Sequence, residues 1–90
     1  MLDINNYYEQ LVTAQLLHMA KEINELNYKD FMEDVACIAL NELPARYVRS
    51  LVDLHSHFTD LDKEAMEQQV ADAIQKALVK ARRRSEEVRD

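Results

Sequence analysis

The N-terminal part of the chain carries apolar residues at the spacing of a helix. Asn6, with Glu9 three residues later, predicts the helix start, since Asn6 offers a side-chain acceptor to the first free N–H groups. The apolar stripe that follows contains Tyr8, Leu11, Val12, Leu16, Met19, Ile23 and Leu26. Tyr7 and Leu17 lie off this stripe. The apolar face is therefore broad, which indicates that part of it forms a second surface that another subunit covers.

A second helix is predicted between Asp30 and Leu43. Asp30 followed by Glu33 has the pattern of an N-cap, and the run "VACIAL" that comes next is almost wholly apolar. We interpret this run as a buried helix in which Cys37 fills space, because free cysteine is usually buried. Pro44 lacks an N–H and disfavours helix at the preceding residue, so the helix should end near Leu43.

The segment from Arg46 to Phe58 fits two patterns. With a period of two, one face contains Val48, Ser50, Val52, Leu54 and Phe58. With the period of a helix, the aligned residues are Val48, Leu51, Val52, His55 and Phe58. We favour an extended start directly after Pro44. A strand there would lack a partner within the chain, so we expect it to pair with its copy across a two-fold axis.

The C-terminal third predicts one long helix that begins at Thr59, Asp60 and Asp62. Large apolar residues recur every four positions with alanines beside them, at Met66, Val70, Ala73, Ile74, Ala77, Leu78 and Ala81. The helix should run to about Arg84, with residues 85–90 as a frayed tail. The predicted fold is mainly α: a small domain of three to four helices, with one short extended segment after Pro44, assembled as a homodimer.

Length and composition place the chain among small globular domains. Its 90 residues, 48% of them hydrophobic, predict a single domain over residues 1–90. We find neither a long apolar run nor a basic leader, so we expect no membrane span and no secretory signal. One cysteine cannot form an internal disulfide, and together these features predict a protein of the reducing cytoplasm.

The charge balance argues against nucleic acid and membrane surfaces as partners. The formal net charge is −6, and a uniformly acidic surface repels polyanions. The exception is a basic cluster of Lys80, Arg82, Arg83 and Arg84. We interpret the cluster as a solvated helix end whose cations match the helix dipole. The alternative is a local phosphate contact.

The sequence lacks the usual motifs of catalysis. A chain without glycine cannot form a glycine-rich phosphate loop, and no nucleophile elbow, Cys-x-x-Cys or His-Glu-x-x-His is present. We therefore predict a protein that is not an enzyme and has no cofactor. Asp53, His55 and His57 would share one face of a strand and suit zinc. We prefer surface or interface histidines, because a helix would scatter these groups, and we predict no metal.

The residues after Pro44 form the better candidate site. Arg46 and Arg49 carry planar donor forks that suit phosphates and the O6/N7 edge of guanine. Tyr47 offers a ring on which a base can stack. The alternative is structural, with Tyr47 in the core and the arginines paired with Asp34 or Glu42.

The stretch "DVACIALNELPARYVRSLVD" resembles the ComFB family, which is named for late competence development in bacteria. The family pattern has an acidic residue, a short apolar helix, Leu-Asn and then Leu-Pro-x-x-Tyr, often followed by a basic residue. In this chain those positions are Asp34, Leu40, Asn41, Leu43, Pro44, Tyr47 and Arg49. The flanking helices also fit, with "NYYEQLV" before the motif and Val70, Ala73, Ile74 and Ala77 after it.

The resemblance implies a small, mainly helical, cytoplasmic and dimeric protein. Some ComFB-like proteins bind the second messenger cyclic di-GMP and control competence, motility or cell size. Others carry a zinc-binding cysteine cluster, and this chain has only Cys37, so that site is not carried over. We expect a cyclic di-GMP receptor that acts on a downstream protein. Its expected ligand contacts are Arg46, Tyr47, Arg49, Pro44, Asp34 and Asn41, with Arg82 and Arg83 as supplementary phosphate contacts.

Cyclic di-GMP is a two-fold symmetric dianion with two guanines. A C2 dimer can present the same Arg/Tyr set twice, once to each half of the ligand. The alternative is a dimeric protein-interaction module that binds no nucleotide.

Overall fold

A computed structural model of the chain describes residues 4–20, 28–49 and 58–88. Within these residues the chain forms three helices and one two-stranded sheet, as the mainly α prediction requires. The elements, in chain order, are β1 (Asn5–Asn6), α1 (Tyr7–Met19), α2 (Tyr28–Glu42), β2 (Tyr47–Val48) and α3 (Asp60–Val88). The segment 50–57, for which strand and helix were both open, lies outside the described residues.

Helix α1 begins at the predicted cap. Asn6 has extended backbone angles, φ −84° and ψ 112°, and its side chain accepts a hydrogen bond of 3.3 Å from the N–H of Tyr8. This bond satisfies one of the N–H groups that have no partner inside the helix. Three residues of the predicted stripe are buried, namely Tyr8, Val12 and Leu16.

Helix α2 ends where the proline requires. Its last residue is Glu42, and the N–H of Leu43 still donates to the carbonyl of Ala39 over 3.2 Å. Pro44 has no N–H with which to continue this pattern. The helix begins at Tyr28, so the prediction of Asp30 as its N-cap is wrong. Asp30 lies in the first turn instead, where a carboxylate interacts favourably with the helix dipole.

The predicted burial of Cys37 is also wrong, because this side chain is exposed. The buried residues of α2 are Phe31, Val35, Ile38 and Ala39. Each residue of a helix turns about 100° from the last, so Cys37 lies roughly 200° around the axis from Val35. The uniformly apolar run concealed this periodicity.

The extended segment after Pro44 is confirmed, but the expectation that it lacks a strand partner within the chain is wrong. Strand β2 pairs with β1 of the same chain in antiparallel register, with Asn5 opposite Val48 and Asn6 opposite Tyr47. Two consecutive asparagines have low strand propensity, and their pattern indicated only a helix start. The pairing therefore depends on tertiary contacts and not on local preference.

Helix α3 begins with a reciprocal capping box. The hydroxyl of Thr59 accepts from the N–H of Asp62, and the carboxylate of Asp62 accepts from the N–H of Thr59, each over 3.0 Å. The helix continues to Val88 and so passes the predicted end near Arg84. Its predicted apolar face is buried, comprising Met66, Val70, Ala73, Ile74, Ala77, Leu78 and Ala81.

The buried residues that the structure describes form one cluster, to which all three helices contribute. The most completely buried large side chains are Val12, Val35 and Ile74, one from each helix. Each such side chain contributes about 1.5–3 kcal/mol through the area it removes from water. Helix α2 makes its most extensive contacts with α3. Among the described residues, no helix combines the length and the apolar character needed to cross a bilayer.

Candidate functional site

The backbone of Arg46 is held on both sides by the start of α1. Its N–H donates to the side-chain oxygen of Asn6 over 2.9 Å, and its carbonyl accepts from the N–H of Tyr7 over 2.7 Å. The N–H of Tyr7 is one of the N-terminal donors that a helix leaves unpaired. The cap of α1 therefore fixes the position of a residue 40 positions later in the chain.

The side chain of Arg46 lies over an aromatic ring. Its guanidinium carbon is 5.1 Å from the centroid of Phe58, within the range of a cation–π contact. Phe58 also stacks with Tyr7, with ring centroids 5.3 Å apart and an angle of 16° between the planes. Phe58 is buried. Phe58, two residues before α3, thus contacts both the first residue of α1 and Arg46, the residue before β2.

Beside this stack lies a cavity of about 160 Å³, which we call the Tyr47 cavity. Its described lining is Arg46, Tyr47, Val48, Arg49 and Phe58. Strand alternation orients consecutive side chains to opposite faces. Val48 is only 5% exposed, whereas Tyr47 is 66% exposed. A large aromatic ring is therefore displayed at the surface between two arginines.

A second cavity of about 260 Å³ lies next to Arg46 and Phe58, and we call it the Asp62 cavity. Its other described lining residues are Tyr8, Pro44, Ala45, Asp62, Ala65, Met66 and Gln69. Four of these come from α3 at positions i, i+3, i+4 and i+7, which share one face of a helix. The hydroxyl of Tyr8 donates to the side-chain oxygen of Gln69 and so connects α1 to α3 along the cavity wall.

Two exposed carboxylates near this region have shifted titration. The hydrogen bonds from Thr59, and to a smaller extent the charge of Arg46, lower the pKa of Asp62. The hydrogen bond from Lys80, followed by the charges of Lys80 and Lys76, lowers the pKa of Glu42. Glu42, which the sequence offered as a partner for the arginines, forms an ion pair with Lys80.

The structure brings together only some of the predicted contacts. Arg46, Tyr47 and Arg49 line the Tyr47 cavity, and Pro44 lines the Asp62 cavity with Arg46. Asp34 and Asn41 are exposed on α2 and are not among the described residues that line either cavity.

The basic residues Arg82 and Arg83 are exposed near the other end of α3. They follow Asp62 by about 30 Å along the helix, at 1.5 Å per residue. A single small ligand at Arg46 therefore does not reach them within the same chain.

Sequence reasoning missed three residues of the site: Phe58, Asp62 and Gln69. The sequence pattern places Phe58 on either of two possible apolar faces and Asp62 only at the start of a helix. The i+7 relation between Asp62 and Gln69 was the available signal. This spacing indicates that the two residues share one face of α3, but it does not indicate which other residues pack against that face.

The described residues contain no cluster of three or more His, Cys, Asp or Glu side chains that could hold a metal ion. The candidate set Asp53, His55 and His57 lies outside the described residues.

Comparison with known proteins gives one match. A family described as Late competence development protein ComFB matches residues 5–85. That range contains both strands, almost all of the three helices and every residue that lines the two cavities. Neither a curated protein nor a solved structure matches the chain.

Proposed function

The chain belongs to the ComFB family of late competence development proteins, and from that premise we propose that it is a cytoplasmic receptor for cyclic di-GMP. In this proposal the receptor is a homodimer that relays the level of the second messenger to a protein partner and catalyses no reaction. The observation that carries the proposal is the Tyr47 cavity, where Arg46, Tyr47 and Arg49 meet.

The chemistry of the Tyr47 cavity suits a guanine nucleotide. The two guanidinium groups can donate paired hydrogen bonds to phosphate oxygens or to the O6/N7 edge of guanine. The exposed ring of Tyr47 can stack on a base, and such stacking contributes about 1–3 kcal/mol per base. A core role for Tyr47, the structural alternative, would require burial that this ring does not have.

The corner that carries these side chains is preorganised. The backbone of Arg46 is fixed by Asn6 and Tyr7, and Val48 anchors β2 in the core. A ligand that binds a rigid segment loses less free energy to ordering the protein than one that binds a loose loop. A small receptor with a marginal core benefits from this arrangement.

A homodimer needs an exposed surface that a second copy can cover. A groove of about 450 Å³ between α1 and α2 meets this need, and we call it the α1–α2 groove. It is lined by Thr13, Leu16, Leu17, Lys29, Met32, Glu33 and Ala36. Leu17 is 68% exposed there. Lys29 and Glu33 lie one turn apart, so two antiparallel copies can place opposite charges together around a two-fold axis.

Calorimetric titration of the full chain with cyclic di-GMP tests the proposal. We expect saturable heat, and we expect Arg46→Ala and Arg49→Ala each to lose about 1.5–3 kcal/mol of binding free energy, as for charge-assisted contacts. Arg84→Ala is the matched control, since it removes the same charge from the exposed far end of α3. A folded chain that gives no heat at high micromolar ligand would refute the proposal.

The second candidate is a dimeric protein-interaction module without a nucleotide. The apolar α1–α2 groove with its exposed Leu17 favours it. In that case the role of Arg46 is structural, through Phe58 and the start of α1. Arg46→Ala would then lower the melting temperature or the dimer fraction without any ligand, and cyclic di-GMP would leave the melting temperature unchanged.

A further inference from the structure

We propose that Asp62 selects guanine by accepting hydrogen bonds from the N1–H and the 2-amino group of one base held in the Asp62 cavity, while Arg46 donates to the same base. This inference rests on the proposed function, and it names a residue and a cavity beyond the Arg/Tyr set. Arg46 and Phe58 line both cavities, so a nucleotide at the Tyr47 cavity has the Asp62 cavity directly beside it.

Asp62 has the capacity for this contact. Its Oδ2 accepts the N–H of Thr59 over 3.0 Å. A carboxylate offers about four lone-pair positions on two oxygens, so the helix cap uses only part of that capacity. The backbone N–H of Thr59 holds this side chain in place, and the hydroxyl of Thr59 accepts the backbone N–H of Asp62 in return. The pKa of Asp62 is lowered, so the carboxylate is charged at neutral pH.

The other walls of the cavity suit a flat heterocycle with one polar edge. Phe58 and Met66 supply buried apolar surface. Arg46 is placed over the ring of Phe58 at 5.1 Å. Gln69, at the end of the same α3 face, carries a polar amide whose oxygen accepts from Tyr8. The guanidinium of Arg46 and the carboxylate of Asp62 therefore line one cavity together with apolar side chains.

This pairing of charges distinguishes guanine from adenine. Guanine presents acceptors at O6 and N7, which match Arg46, and donors at N1 and the 2-amino group, which match a carboxylate. Adenine presents an acceptor at N1, which a carboxylate repels, and has no 2-amino group. A site that leaves a charged group unpaired rejects the wrong ligand strongly.

The test compares three cyclic dinucleotides on the full chain by calorimetry: cyclic di-GMP, cyclic di-AMP and cyclic di-inosine monophosphate. The inosine compound keeps O6, N7 and N1–H and lacks only the 2-amino group. We expect the wild-type chain to bind cyclic di-GMP about 10- to 100-fold more tightly than the inosine compound, as for one charge-assisted contact. Asp62→Ala should reduce that preference to near unity.

Thr59→Ala is the matched control, because it removes the other half of the same capping box and keeps the carboxylate. We expect this variant to retain the guanine preference. Circular dichroism checks the helix content of both variants, and Asp62→Asn replaces Asp62→Ala if the latter loses helix. If the wild-type chain binds cyclic di-GMP and Asp62→Ala keeps the full preference, this inference is overturned and the proposed function stands. If the wild-type chain binds no cyclic dinucleotide, both are overturned.

Discussion

The backbone N–H of Arg46 donates a 2.9 Å hydrogen bond to the side chain of Asn6, the residue that caps helix α1. The same Asn6 oxygen accepts from the N–H of Tyr8. The side chain of Asn6 thus caps the N-terminus of α1 and also fixes the backbone of Arg46, an arginine of the candidate site. Folding stability and site geometry are coupled at this residue.

Asn6→Ala should destabilise the chain by about 1–2 kcal/mol, because it removes an N-cap and leaves the N–H of Arg46 without that acceptor. It should also weaken cyclic di-GMP binding, since the Arg46 corner loses its anchor. Chemical denaturation and calorimetry measure the two effects. Asn6→Asp keeps a side-chain acceptor of the same size and should restore most of both. Equal losses in Asp and Ala variants would contradict the anchoring role.

Tyr47→Ala should leave the free energy of unfolding within about 0.5 kcal/mol, because the ring is largely exposed. Its effect should fall on ligand binding instead. Val48→Ala, one residue later and buried, is the matched comparison: it should cost stability through the cavity it creates. Denaturant unfolding of both variants measures this difference in their free energies of unfolding. A large stability loss in Tyr47→Ala would show that the ring has a structural role.

Acidification should weaken the ion pair between Glu42 and Lys80. The pKa of Glu42 is lower in the folded chain than its usual 4.5. The stabilisation is therefore present above pH 4.5 and is lost as the pH falls through the folded-state pKa. A double-mutant cycle with Glu42→Gln and Lys80→Met should give a small favourable coupling at pH 7 that disappears once the pH falls below the lowered pKa of Glu42. The pKa of Asp62 is likewise lower than its usual 3.8, so the cap contribution of this carboxylate should be lost as the pH falls through the lowered pKa.

High salt provides the control for that cycle, because it screens exposed charge pairs. The coupling at pH 7 should shrink in about 1 M salt, where the Debye length is about 3 Å. A coupling that is unchanged by both acid and salt would contradict an electrostatic origin.

Leu17→Lys should prevent self-association if the α1–α2 groove is the dimer surface. The substitution puts a charge at the exposed apolar edge of that groove, and its desolvation opposes burial. Sedimentation velocity measures the result. Leu61→Lys is the control, since Leu61 is also exposed, at 77%, but lies in the first turn of α3. If Leu17→Lys dimerises as the wild type does, the dimer surface lies elsewhere.

Several elements of this protein were predictable from local pattern. The cap at Asn6, the end of α2 before Pro44 and the apolar face of α3 each depend on neighbouring residues along the chain, because helix caps and helix faces repeat over one or two turns. Which residues of α2 are exposed was harder to predict from the sequence. In a run where every residue is apolar, hydrophobicity alone does not separate Cys37 from Val35, and only packing into the core decides which of them is buried.

Only part of the candidate site could be predicted from the sequence. Arg46, Tyr47 and Arg49 are neighbours in the chain, so their chemistry could be recognised together. Asp62 and Phe58 reach Arg46 only through the fold, and Asn5–Asn6 pair with Tyr47–Val48 across 40 residues. Local sequence therefore specified three helices, the N-terminal caps of α1 and α3, and the arginines after the proline. The tertiary structure alone decided which strand pairs with which and which side chains face the arginines, because contacts between distant segments leave no periodic signal in the chain.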